Sequence, residues 1–166
     1  MTSQLSMSAA DSAFLYRGVS SAFHATNGGR LKPKVRGSFS HRFGWDQPAI
    51  KWDSAITWDS TKTNAVIRHQ LNQEGFPTAG ISTTPHFVRA LFYVRGRDGV
   101  AGGYVYKINR ALLSSLGVEQ FVVSQFCVPS VAEDDEVILV TKDGEELPIE
   151  LVVEIVEVPA LVRSAT

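Results

Sequence analysis

Polar and apolar positions change rhythm several times along the chain. Residues 13–19, Ala-Phe-Leu-Tyr-Arg-Gly-Val, read as a short strand carrying Arg17. From Ser20 to about Ser60 the pattern dissolves into Gly, Ser, Asn and charge. A stretch that long without regular structure usually serves function or wraps a ligand, and short helices can hide in it. Helical spacing returns over 64–74, where Ile67 and Leu71 share a face, Asn64 is placed to cap and Gly75 follows. The chain then turns into a short strand at Gly80–Thr84. Residues 85–95 carry the clearest helical signal. Thr84 sits at the N-cap and Pro85 at the first helical position, where its missing N–H costs nothing. Phe87, Ala90, Leu91 and Val94 recur at i, i+3, i+4 and i+7, which predicts a buried stripe.

The second half alternates instead. Residues 95–103 are a Gly-rich loop, 103–109 alternate as a strand, and 110–117 predict a brief helix ended by Gly117. Strands follow over 118–128, 135–140 and, after the turn at 142–146, 147–158. Helices early and strands late predict an α+β fold with antiparallel sheet, not alternating βαβ units. No repeat, linker or low-complexity tract divides the chain, so residues 1–166 read as one domain, with 1–12 as a flexible N-terminal segment.

Composition narrows the class. A chain of 166 residues that is 44% hydrophobic can bury a core without covalent staples. The single cysteine, Cys127, excludes an intramolecular disulfide and a cysteine zinc cluster, and within Phe121–Val128 it reads as a small buried hydrophobe. Residues 1–14 lack the basic and apolar regions of a secretory signal, and no run approaches the roughly 20 apolar residues of a membrane span. The expectation is a cytoplasmic protein with no membrane partner, with delivery into a target cell as an effector left open. Net charge is −1 but uneven: basic residues dominate Arg30–Lys51 and acids dominate Glu133–Glu157. Each reads most simply as a solvated face. Phe39, Phe43, Trp45 and Trp52 interleave the basic stretch, which leaves an anionic partner such as nucleic acid open.

Three features carry chemistry. Arg17, beside Gly18, ends an apolar strand, and its planar fork suits a diphosphate or carboxylate. Ser82-Thr83-Thr84 lies where strand passes to helix, so hydroxyls and unpaired helix N–H groups meet there. Asp134 and Glu136 precede an apolar strand, and strand periodicity would put them on one face with Cα atoms roughly 7 Å apart. A fixed carboxylate there can stabilise the positive charge that develops when an N-glycosidic bond breaks. Taken singly, each has an ordinary reading: a surface arginine, a capping threonine, an exposed acidic turn. His24, His41, His69 and His86 show no metal-ligand spacing, so no metal is expected; His86 reads as a surface or capping residue. No G-x-S-x-G elbow, P-loop or G-x-G-x-x-G following a strand is present.

Their order is more specific than any one of them. Tyr16-Arg17-Gly18, then Gly80-Ile81-Ser82-Thr83-Thr84-Pro85, then Asp134-Asp135-Glu136-Val137 resemble the R-S-E class of mono-ADP-ribosyltransferases, the cholera-toxin-like group. Gly28-Gly29-Arg30-Leu31-Lys32-Pro33 and Leu147-Pro148-Ile149 also match, so the resemblance spans about Phe14 to Val158. It implies a split β-sandwich of two sheets with flanking helices around an NAD cleft. It further implies that Arg17 and Gly18 contact NAD and that Ser82, Thr83 and Thr84 shape the nicotinamide pocket. Glu136 would stabilise the sugar cation as nicotinamide leaves. Phe87 and Phe92 are candidates for packing under the nicotinamide, although helical spacing also fits core. NAD would be co-substrate, and a protein side chain or nucleic acid the acceptor, with an immunity protein or antitoxin as a further partner left open. One departure stands out: members of the class usually carry Glu-x-Glu or Gln-x-Glu, and here Asp134 replaces the first residue. That keeps two alternatives in view, an NAD glycohydrolase and a catalytically silent binding module on the same fold.

Overall fold

The computed structural model describes residues 12–40, 61–70 and 78–162. Strand β1 (Phe14–Ser20) leads directly into helix α1 (Ser21–Thr26), and helix α2 spans Lys62–Gln70. Strand β2 (Ile81–Thr83) precedes helix α3 (Phe87–Arg95), followed by strands β3 (Gly103–Asn109), β4 (Val118–Val122), β5 (Val137–Thr141) and β6 (Val152–Val158). They form two three-stranded antiparallel sheets, ordered β1-β3-β6 and β2-β5-β4. The fold is α+β with antiparallel sheet, as the pattern predicts, and has the two sheets that the resemblance implies.

Side-chain alternation explains the layering. Leu15, Val19, Tyr106 and Ile108 from the first sheet meet Ile81, Val122, Val137 and Leu139 from the second in one core. Ile138 and Val140, the alternate residues of β5, pack against Ala65 and Val66 of α2 together with Phe121 and Phe39. The run Val137–Val140 is therefore buried on both faces, which accounts for its unbroken apolar character. On the far side of the first sheet, Ala90 and Val94 of α3 pack against Val105 and Val158. The order of layers is α3, sheet, sheet, α2.

The two sheets are stitched together beside Arg17. Tyr16 N–H donates to the Thr84 carbonyl at 2.7 Å and Thr84 N–H to the Tyr16 carbonyl at 3.0 Å. This bridge moves the start of α3. Thr84 was expected at the N-cap, but its backbone is engaged with β1 and its Oγ1 accepts from His86 N–H at 3.1 Å. The helix begins two residues later, with His86 at the N-cap and no side-chain cap. Ala90 and Val94 of the predicted stripe are buried, whereas Phe87 remains 39% exposed, edge-on to Tyr16.

Other boundaries shift for equally local reasons. Thr61, not Asn64, caps α2: Thr61 Oγ1 accepts from Asn64 N–H at 3.1 Å, and the Asn64 side chain is buried within the helix. Helix α1 occupies part of the stretch that showed no periodicity. Residues 110–116 form two 3₁₀ turns, ended by Gly117 at φ 71° as expected. The late strands are shorter than the apolar runs that announce them, because 3₁₀ turns take up 123–125 and 149–151. Leu71, the part of the aromatic–basic stretch from residue 41 onward, with Phe43, Trp45 and Trp52, and most of the predicted N-terminal tail lie outside the described residues. Among the described residues, no helix is long and apolar enough to cross a membrane and no group of side chains could hold a metal ion.

Candidate active site

Arg17 shares a parity with Leu15 and Val19, so β1 points it inward, toward the line where the sheets meet. Its Nη1 donates to the Ser82 carbonyl at 3.0 Å, a second tie between the sheets. Gly18 points the other way, and its role differs from backbone freedom beside the arginine. A Cβ there would stand 2.0 Å from the Ala90 carbonyl oxygen, so glycine is what lets α3 lie on β1. The Arg17 guanidinium is desolvated, which lowers its pKa, while the charge of Glu136 and then Tyr93 draws it back up.

Glu136 sits just before β5, its side chain 17% exposed. Gln70 Nε2 donates to Oε2 at 2.7 Å, and His69 Nε2 lies 3.3 Å from Oε1. His69 Nε2 is also 2.7 Å from Ser82 Oγ, and its Nδ1 meets the Thr78 hydroxyl. Thr78 Oγ1 accepts from Gly80 N–H at 3.3 Å, which frees its proton for His69 Nδ1. His69 Nε2 therefore faces both Ser82 and Glu136, and a proton on that nitrogen would be donated toward them. Burial alone would raise the Glu136 pKa; hydrogen bonds and charge from His69, then bonds from Gln70 and Ser82, outweigh it and hold the carboxyl below its ordinary value. The result is a buried carboxylate kept anionic.

Asp134 behaves differently from the strand residue that the spacing predicts. It ends a 3₁₀ turn at 132–134, and Asp135 follows in the left-handed region at φ 44°, ψ 48°. Two residues on one strand face would share partners; here the turn sends them apart. Arg89 Nε donates to Asp134 Oδ1 at 2.7 Å, and the Tyr93 hydroxyl donates to Oδ2. Burial and then Asp134 push the Tyr93 pKa up to about 12. Asp135 pairs with the predicted capping residue His86, Oδ2 to Nε2 at 2.7 Å.

These residues enclose a cleft of about 280 Å³, near the lower end of small-molecule sites. Arg17, Gly18, Ser82, Thr83, Thr84, Asp134 and Glu136 all line it. Thr83 is fixed by its own bond, Oγ1 to the Val137 carbonyl at 2.6 Å. Phe87 and Phe92 do not line the cleft: Phe92 is 54% exposed on the outer face of α3. Sequence reasoning missed His69, Gln70, Tyr93, Lys32 and Lys34, which also line it. Their only sequence signal was indirect, a His-Gln pair following an apolar helical run and two lysines in the Gly28–Pro33 neighbourhood. The cleft therefore offers cations from Arg17, Lys32 and Lys34 and an enforced anion at Glu136. It suits a ligand that carries anionic oxygens and develops positive charge nearby.

A family model described as NarE matches residues 14–139, well over half of the chain and a span that holds Arg17, Ser82 and Glu136. No curated protein matches the chain.

Proposed function

The chain belongs to the NarE family, of the ADP-ribosyltransferase class, and from that premise we propose that it is an NAD-dependent mono-ADP-ribosyltransferase of the R-S-E type. The observation that carries the reading is the enforced Glu136 carboxylate, held by His69, Gln70 and Ser82 in a cleft that also contains Arg17. Arg17 binds the phosphate and ribose region of NAD, with Lys32 and Lys34 adding positive charge at the cleft wall. Ser82, Thr83 and Thr84 shape the nicotinamide end. Glu136 stabilises the positive charge on the ribose as the bond from C1′ to nicotinamide breaks and nicotinamide departs with the electron pair. The acceptor then bonds C1′ and releases a proton.

The acceptor in this reading is a macromolecule, a protein side chain or nucleic acid. Water as acceptor would make the same site an NAD glycohydrolase. A silent binding module would not require an anion at Glu136, because carboxamide would fill the same space and bond the same Gln70.

Nicotinamide release by the wild type and by Glu136→Gln tests the proposal. Loss of a charge-stabilising group of this kind costs roughly a hundredfold or more. Release by the wild type and a loss of about that size in a folded variant are expected. Equal rates, or no release by either protein with lysate or DNA as acceptor, would sink the assignment.

A further inference from the structure

Glu136 is held at two levels. Its backbone carbonyl accepts from Val123 N–H at 3.0 Å, so the segment between β4 and β5 closes at its base. Its side chain accepts from Gln70 Nε2 at 2.7 Å. Gln70, the last described residue of α2, is in turn gripped by the middle of that same segment. Ser130 N–H donates to Gln70 Oε1 at 3.0 Å, and the Ser130 hydroxyl donates to the Gln70 backbone carbonyl at 2.9 Å.

The two contacts act at different points. The hydroxyl bond ties the loop to the backbone of α2, and the N–H bond sets the side-chain amide. With Oε1 committed to a backbone donor, the amide turns its NH2 toward Glu136. A glutamate in place of Gln70 could accept from Ser130 but would repel Glu136, and a lysine could donate but not accept. Ser130 is exposed, so water could satisfy its polar groups and neither bond is needed to keep it solvated. Both of its donors are nevertheless spent on one residue 60 positions away in sequence.

We propose that Ser130 is a positioning residue for Glu136: by gripping Gln70, the loop around Ser130 holds the carboxylate in its reactive position in the cleft. Its kinetic consequence rests on the NAD-cleaving reading above, in which the carboxylate so placed meets the ribose cation. The grip itself rests on the contacts alone. Arg17 of β1 and His69 of α2 also act on Glu136, and both are kept in every variant below.

The test compares wild type, Ser130→Ala, Ser130→Thr, Gln70→Met and the Ser130→Ala/Gln70→Met double variant, each confirmed as folded by thermal unfolding. One readout is kcat and KM for nicotinamide release. The other is solvent exchange of the Gln70 side-chain amide protons by NMR, which needs no substrate. Gln70→Met should lower kcat about tenfold to a hundredfold, the scale of one bond to a charged group, with KM little changed. Ser130→Ala should lower kcat about twofold to tenfold, the scale of one neutral bond, and speed exchange of the Gln70 amide. Ser130→Thr, which keeps the hydroxyl, should restore both. In the double variant, Ser130→Ala should cost nothing beyond Gln70→Met, because the two residues act as one unit. A further loss there, or a Ser130→Ala variant that changes KM and not kcat, overturns the inference, since the loop would then act on the ligand directly. Wild-type amide exchange in Ser130→Ala also overturns it. If the wild type releases no nicotinamide, the NAD-cleaving reading fails by itself and amide exchange alone decides: faster exchange in Ser130→Ala upholds the grip, and unchanged exchange refutes it.

Discussion

Glu136 is a carboxylate in a place that would ordinarily protonate it. Burial opposes the charge, and three neighbouring side chains, His69 foremost, reverse that effect. His69 is buried, with both ring nitrogens engaged by Thr78 and Ser82. Gly80 makes room for it: a Cβ there would stand 3.2 Å from His69 Nδ1 and 2.5 Å from Ile138 Cγ2. His69 is thus a positioning residue acting through Glu136. Removing it lets the carboxyl pKa rise, so the acid limb of the nicotinamide-release profile should move to higher pH in His69→Ala. Release at neutral pH should fall by up to about a hundredfold, the scale of a misplaced catalytic group. His69→Gln, which keeps an N–H donor, should recover part of both effects. An acid limb at the same pH in His69→Ala would show that Glu136 does not depend on it.

At the scale of the element, one backbone conformation decides what the acidic segment does. Alternation places Asp134 and Glu136 together only if the residue between them is extended, and Asp135 is left-handed instead. Aspartate tolerates that conformation better than most residues; here its side chain reaches His86, 49 residues away in sequence. A β-branched residue should not tolerate it. Asp135→Val should destabilise the protein by about 1–2 kcal/mol in urea unfolding, from the left-handed penalty. Asp135→Gly should cost much less, because it loses only a partly exposed contact with His86. Equal losses in the two variants would mean that the His86 contact, and not the backbone, sets the turn. The apolar run after this segment was legible as a strand from its composition. The turn before it was not, because an acidic sequence is compatible with both an extended and a 3₁₀ path.

For the whole molecule, the site and the join between the sheets are the same place. Arg17 bonds the Ser82 carbonyl next to the Tyr16–Thr84 bridge, and Glu136 leads into the strand that pairs with β2. In the proposed reading, ligand chemistry and stability are therefore linked through Glu136. Its folded pKa is depressed, so its contribution is present above the unfolded glutamate value of about 4.3 and is lost as pH falls through the folded value. The stability advantage of wild type over Glu136→Gln should shrink as pH drops below that point and stay level above about pH 6. A difference that does not vary with pH would contradict the depressed pKa. The amino-acid sequence by itself determined the α+β class, the strand around Arg17, the buried Ala90 and Val94 of α3 and the order of the motifs that carry Arg17, Ser82–Thr84 and Glu136. Those properties follow from local periodicity and from short motifs, which the chain carries wherever it folds. Only the tertiary structure brought His69 and Gln70 onto Glu136, closed Asp134 with Arg89 and Tyr93, and left Phe87 and Phe92 outside the cleft. Those contacts join α2 to β5 and α3 to the turn before it, across 66 residues between Gln70 and Glu136 and 45 between Arg89 and Asp134. No local pattern records them, because the partner of a buried polar group is chosen by which surfaces the packed sheets bring within hydrogen-bond reach.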